Sequence, residues 1–226
     1  LYSAMEDFQL DIMIGKGPSA RSIRLDLNLF TLVGATTRSG FIGAPLRNRF
    51  GMILEMEFYP DKDLKQIIIR SATLLGTSIR EDAALLLARR SRGTPRIANR
   101  LLRRVRDIVT VEGEDQITVD TVESAMTLLS IDEEGLDSMD KRLLGVLIES
   151  YNGGPAGVKA IAASIGIEPE TISEVYEPFL LQSGFLVRTN RGRMVTEKAY
   201  RHLGLPIEGK NSTLWNYIDQ RDEAEE

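Results

Sequence analysis

Gly93-Thr94-Pro95-Arg96 opens a segment with no acid before Asp107, a pattern that aims a guanidinium at the start of a helix. Thr94 is placed to accept a bond from a free N–H of the first turn. Pro95 supplies the fixed φ suited to the first helical position, and Arg96 follows at the second. Uncovered N–H groups and the positive end of the helix dipole favour an anion there, and an arginine fork adds paired charge-assisted bonds, so phosphate is the expected guest. The same residues also read as a capped basic surface helix, and the rest of the chain must decide between the two.

Other chemistries are narrowed by composition. The chain has 226 residues, 42% of them apolar, enough for one large or two to three small domains. Without cysteine, disulfides and thiolate zinc sites are excluded. The single His202 argues against a histidine metal cluster or a Ser-His-Asp triad and reads as a structural or surface residue of a terminal helix. No apolar run suggests a membrane span and the first residues lack a signal-peptide pattern, so a cytoplasmic protein is expected. A net charge of −5 disfavours a wholly basic nucleic-acid binder. Charge is unevenly spread, however: eight arginines fall between Arg89 and Arg106, and a second basic group comprises Arg188, Arg191, Arg193, Lys198 and Arg201.

The elements that must position these groups follow from periodicity. The chain opens on Leu1 as though entered mid-domain, which reads as a fragment. Apolar residues alternate as Phe8, Leu10, Ile12, Ile14 and resume after Gly15-Lys16-Gly17-Pro18 as Ile23, Leu25, Leu27, Leu29, which predicts a hairpin. The run Phe30-Thr31-Leu32-Val33-Gly34-Ala35 predicts a strand buried on both faces, ending in Thr36-Thr37-Arg38 where open α/β sheets bind ligands. Helical texture follows near 61–75, 80–92, 95–112 and 118–130, with stops at Gly76 and Gly93. After the acidic joint Ile131-Asp132-Glu133-Glu134-Gly135, helices near 137–151, 158–165 and 169–183 precede a hairpin turning at Asn190-Arg191-Gly192, the pattern of a winged helix. The polar stretch 206–226, with Trp215 and Tyr217, is expected to be a mobile tail.

Thr31-Leu32-Val33-Gly34-Ala35-Thr36-Thr37-Arg38, Pro45-Leu46-Arg47-Asn48-Arg49-Phe50-Gly51, Arg92-Gly93-Thr94-Pro95-Arg96-Ile97-Ala98 and Arg191-Gly192-Arg193 together closely resemble the bacterial RuvB family. Its members are AAA+ motors that drive branch migration of Holliday junctions. The resemblance spans about residues 1–205 in order and spacing. It implies α/β plus all-α architecture: residues 1–58 as the carboxyl-terminal part of the large ATPase subdomain, 59–131 as a helical lid, and 132–205 as a winged-helix DNA-binding domain. The phosphate-cradling loop with its Lys-Thr and the acidic metal-holding strand end are absent from this sequence; in the family both lie upstream of the position of Leu1. These residues alone are therefore expected not to hydrolyse ATP.

The resemblance also implies roles. Thr37 matches the first sensor of the γ-phosphate, although a Thr leaving a strand also commonly bonds local backbone. Arg49 matches the arginine finger offered to a neighbouring subunit, with Arg47 two residues away as the alternative, or either as a structural ion pair. Arg96 matches the second sensor on the lid. Tyr59, beside the base or in the core, and Glu6, Asp7 and Phe8 match a lining of the same ATP/ADP site, with Mg²⁺ held by residues outside this sequence. Ile23 and Leu25 match the hairpin surface that docks on RuvA, unless the hairpin folds back and buries them.

For DNA, the helix that would enter a groove carries Glu170, Glu174 and Glu177 without Lys or Arg, which predicts that it does not read bases. The wing offers Arg188, Arg191 and Arg193 to the phosphate backbone, a contact independent of sequence. As a whole, the resemblance implies a homo-hexameric, ATP-driven helicase acting on duplex DNA and Holliday junctions with RuvA, and with RuvC in the resolving complex, in recombination, DNA repair and the SOS response. A second reading from the residues is a non-enzymatic winged-helix regulator with operator preference. A clamp-loader-like relative would share the lid but not the Arg191-Gly192-Arg193 turn.

Overall fold

The computed structural model describes residues 2–15, 21–37 and 39–206. The turn at Lys16-Gly17-Pro18, Arg38 and the expected tail beyond residue 206 lie outside the described residues. The chain forms two units, Leu1–Glu57 and Phe58–Glu226.

In the first unit, helix α1 (Tyr2–Glu6) leads into strands β1 (Gln9–Ile14) and β2 (Arg21–Asp26), followed by the short helix α2 (Ala44–Arg47). The alternation of apolar residues does produce an antiparallel hairpin, with Leu10 opposite Leu25 and Ile12 opposite Ile23. β2 stops at Asp26, short of the Leu27 and Leu29 that continue the alternation, and the Leu27 N–H donates to the Phe8 carbonyl at 2.7 Å.

Phe30–Ala35 departs from the expected buried strand: it forms no strand and is exposed, Val33 to 86%. A strand covered on both faces requires neighbouring strands to satisfy its N–H and C=O groups, and none of the described residues pairs with this run. The apolar content of 30–35 reports what the segment needs, not what these residues provide.

Among the described residues, the second unit holds two separate cores. The first is made by α3 (Asp61–Leu74), α4 (Glu81–Arg89), α5 (Pro95–Glu112) and α6 (Val119–Leu128), with a short parallel pairing of β3 (Ser78–Ile79) and β4 (Gln116–Ile117). On α5 the buried Ala98, Leu101, Leu102, Val105 and Val109 recur at helical spacing, leaving Arg96, Arg100, Arg103 and Arg104 on the exposed side. Gly113 in the left-handed conformation ends the helix.

The second core gathers α7 (Ser138–Tyr151), α8 (Val158–Ile165), a helical stretch from Pro169 to Gln182, β5 (Leu186–Thr189), β6 (Gly192–Val195) and α11 (Glu197–His202). The stretch from Pro169 is broken into α9 (Pro169–Thr171), a π-helical segment at Ile172–Tyr176 and α10 (Glu177–Gln182). Pro178 explains the widening, since it has no N–H to return to the carbonyl four residues earlier. Ala156 bridges to Arg193 as a third wing partner. That approach requires Gly192, whose φ is +142° and where a Cβ would stand 2.4 Å from the Ala156 oxygen.

Candidate functional site

The start of α5 is assembled differently from the expectation in one respect. Thr94 is the N-cap residue, Pro95 occupies the first turn and no acid is present there, yet the Thr94 hydroxyl accepts no first-turn N–H. It lies 3.4 Å from the Ser91 carbonyl and donates to it, because the Ser91 carbonyl is held close by the Thr94 N–H at 3.1 Å. The helix start is thus left without a side-chain cap, and Arg96 beside it is exposed. Free N–H groups and an accessible guanidinium are what an incoming phosphate requires.

Tyr59 is brought to this loop. Its N–H donates to the Gly93 carbonyl at 2.8 Å, and its ring is half-exposed. Gly93, at φ +66°, packs so tightly on Phe58 that a Cβ would lie 2.7 Å from the Phe58 Cβ. Tyr59 is therefore joined through its backbone to the loop that leads to Arg96.

In the first unit, Arg49 is engaged within its own chain. Its guanidinium pairs with Glu6 at 2.8 Å, donates to the Pro45 carbonyl at 2.8 Å and lies 4.6 Å from the centre of the Tyr2 ring, while its Nε is buried without a partner among the described residues. Glu6 and Arg49 are thus neighbours. Glu6 is half-exposed, so this pair is worth no more than about 1 kcal/mol, and an orphaned Nε lowers the cost of leaving. Arg47, Asp7 and Thr37 are exposed, and Phe8 packs edge-on against Phe30 at 6.0 Å. Ile23 and Leu25 remain 47% and 45% exposed, on the same hairpin face as Ile12.

The wing divides its arginines. Arg188 and Arg191 are exposed, and the turn between them is closed by the Arg191 N–H donating to the Thr189 hydroxyl at 3.2 Å. Arg193 is a correction to the expected phosphate contact: it is buried and pairs through both arms with Glu177, Nε–Oε1 3.1 Å and Nη2–Oε2 2.8 Å. Glu177 is itself buried, so the acids that the helix shows to solvent here are Glu170 and Glu174. Arg188 approaches Glu177 only at 3.9 Å. Lys198 is drawn to Glu134 at 2.8 Å and lies over the Phe185 ring, and Arg201 pairs with Glu197.

The acidic joint between the two cores carries a network of polar partners that periodicity does not show. Asp132 accepts the Glu134 and Leu136 N–H groups through Oδ1 and faces Lys141 and His202 through Oδ2, at 3.0 and 2.9 Å. Burial opposes its ionisation, but the His202, Lys141 and Leu136 bonds together hold its carboxyl below the usual range. His202 also packs edge-on against Phe185 at 5.2 Å, a structural role. Arg92 reaches Asp137, Asp140 and the Gly135 carbonyl. Burial pushes the Asp140 carboxyl up to about 6 despite the Arg92 charge beside it. Among the described residues no group of acids and histidine could hold a metal, and no helix is long and apolar enough to cross a membrane.

Three family models match the chain in sequence: the Holliday junction DNA helicase RuvB P-loop domain over residues 1–56, the RuvB AAA lid domain over 59–132, and the RuvB C-terminal winged helix domain over 133–204. The Holliday junction branch migration complex subunit RuvB of Kosmotoga olearia is 72% identical over 216 residues, covering 96% of this chain and 63% of the relative. The corresponding subunit of Thermotoga maritima is 62% identical over 203 residues, covering 90% and 61%. A structure of the T. maritima RuvB Holliday junction branch migration motor superposes with a TM-score of 0.79 at 55% identity, covering 91% of this chain and 64% of that one. The chain therefore spans less than two thirds of the length of these relatives. With lid, winged helix and the end of the P-loop domain matched in order, the chain belongs to the RuvB family.

Proposed function

We propose that this chain supplies the lid, the winged helix and the end of the ATPase subdomain of an ATP-driven motor for Holliday junction branch migration. The observation that carries the reading is the uncapped, acid-free start of α5, with Arg96 exposed beside it and Tyr59 bonded to the same loop. In this reading Arg96 contacts the nucleotide phosphates as the lid sensor and Tyr59 borders the base. Thr37 senses the γ-phosphate. Arg49 leaves Glu6 to act as a finger on a neighbouring subunit's nucleotide, where charge stabilisation supplies most of the catalysis. Glu6, Asp7 and Phe8 border an ATP/ADP site, and Mg²⁺ is held by residues outside this sequence.

Arg188 and Arg191 contact the duplex backbone, which suits a motor that moves along any sequence. The exposed face carrying Ile23 and Leu25 docks on RuvA, and six subunits form a ring on DNA in the cytoplasm, with RuvC joining at resolution. Competition between random duplex and defined operator-like sequences tests the reading against a sequence-specific regulator. Equal competition by all duplexes supports the motor, and a preferred site contradicts it.

A further inference from the structure

Arg92 immediately precedes Gly93 and the loop that presents Arg96, and its backbone is held at φ +51°, an uncommon conformation for a residue with a side chain. The side chain leaves the lid entirely. Its Nε donates to the Gly135 carbonyl at 2.9 Å, and its Nη2 lies 2.6 Å from Asp140 Oδ2 and 3.0 Å from Asp137 Oδ2. The guanidinium carbon stands 4.7 Å from the centre of the Phe179 ring. Only 9% of the side chain is exposed and Asp140 is fully buried, so the Arg92–Asp140 contact is shielded from water and salt.

The targets are three separate pieces of the winged helix. Gly135 lies in the joint. Asp137 and Asp140 form the capping box that starts α7, with Asp137 accepting from Met139 and Asp140 N–H groups while Asp140 accepts from the Asp137 N–H at 2.9 Å. Phe179 belongs to α10, the same short helix whose Glu177 holds Arg193 at the base of the wing. One planar fork thus spans from the Gly93 loop to the joint, the first helix and the helix behind the wing. A lysine, with one compact ammonium, cannot occupy those positions together.

We propose that Arg92 is a positioning residue that ties the nucleotide-sensing loop to the winged helix, so that displacement of the loop on nucleotide binding is delivered to the DNA-contacting wing. This rests on the reading of Arg96 as the lid sensor. Arg92 touches neither nucleotide nor DNA. Its effect is a coupling free energy between the two sites, not affinity at either one.

The test uses the full-length protein, a random-sequence duplex and a slowly hydrolysed ATP analogue. The measured quantity is the ratio of duplex Kd without and with the analogue, on the order of 10 for a coupled pair of sites. For Arg92→Lys, checked by circular dichroism to be folded, the ratio is expected to fall to about 2 or less, while analogue affinity and nucleotide-free duplex affinity stay within about threefold of the unsubstituted protein. A folded Arg92→Lys that keeps the full ratio overturns the inference and leaves the motor reading intact. If Arg92→Lys does not fold, Phe179→Leu removes the ring beneath the guanidinium without touching a charge. A partial loss of the ratio is then expected, and full retention overturns the inference. An unsubstituted protein whose duplex affinity ignores the analogue overturns the sensor reading itself, and the inference with it.

Discussion

Arg193 lies directly opposite Arg188 across the wing hairpin, yet only Arg188 faces solvent. Like charges in register repel, and Glu177 behind them offsets this by taking Arg193 through both oxygens. Removing one partner of a buried pair strands the other charge. Arg193→Ala is therefore expected to destabilise the winged helix by about 3 kcal/mol in denaturant unfolding, and replacing both residues by apolar ones to restore most of that loss. An Arg193→Ala protein of unchanged stability would contradict the burial seen here.

Arg188 and Arg191 carry the opposite expectation. Each is exposed, so its replacement by Ala should alter stability by less than about 0.5 kcal/mol. Each should weaken binding to all duplexes alike and reduce the slope of log affinity against log salt by about one unit. Titrations at several salt concentrations check this, and a loss confined to particular sequences counts against backbone contact.

Asp140 predicts an unusual pH response. Its carboxyl is raised by burial to about 6 in the folded chain, so folding takes up a proton between the unfolded value and there. The contribution is fully present below about pH 4 and is lost as pH rises through about 6. From pH 7 to pH 5 the chain should gain about 1 kcal/mol from this group, seen as a rise in Tm that Asp140→Asn abolishes. Asp132, held below the usual range, responds only beneath this window. Identical pH profiles for the two proteins would contradict the assignment.

Arg49→Ala separates a structural from a catalytic role. Its partner Glu6 is half-exposed, so unfolding stability should change by less than about 1 kcal/mol. ATP hydrolysis by the full-length protein should fall on the order of 10³-fold or more. Unchanged hydrolysis would transfer the finger role to Arg47.

The helices of the lid were legible because their stops are local: Gly76, Gly93 and Pro95 act through backbone freedom or its loss, whereas the helix expected over 169–183 is broken at Ile172–Tyr176 ahead of Pro178. The wing was legible for the same reason, from Asn190-Arg191-Gly192 between apolar runs. Arg193 was misread because its partner lies sixteen residues away, and charge alone does not reveal whether a residue is solvated or paired. His202 and Asp132 are seventy residues apart, beyond any periodic signal. Thr94 has a capping residue's identity but donates to Ser91 instead, a choice made by loop geometry. Phe30–Ala35 has a strand's composition, but pairing depends on neighbouring strands that no local pattern supplies.

The proposed membership of a motor that moves Holliday junctions is tested most directly by a branch-migration assay. The full-length protein is mixed with RuvA and a labelled synthetic junction with homologous arms, and the appearance of separated duplex products is followed with ATP and without it. Duplex products are expected only when ATP and RuvA are both present, and are expected to be lost in Arg96→Ala. Product formation that is equal without ATP, or none from a protein that binds the junction and hydrolyses ATP, would contradict that membership.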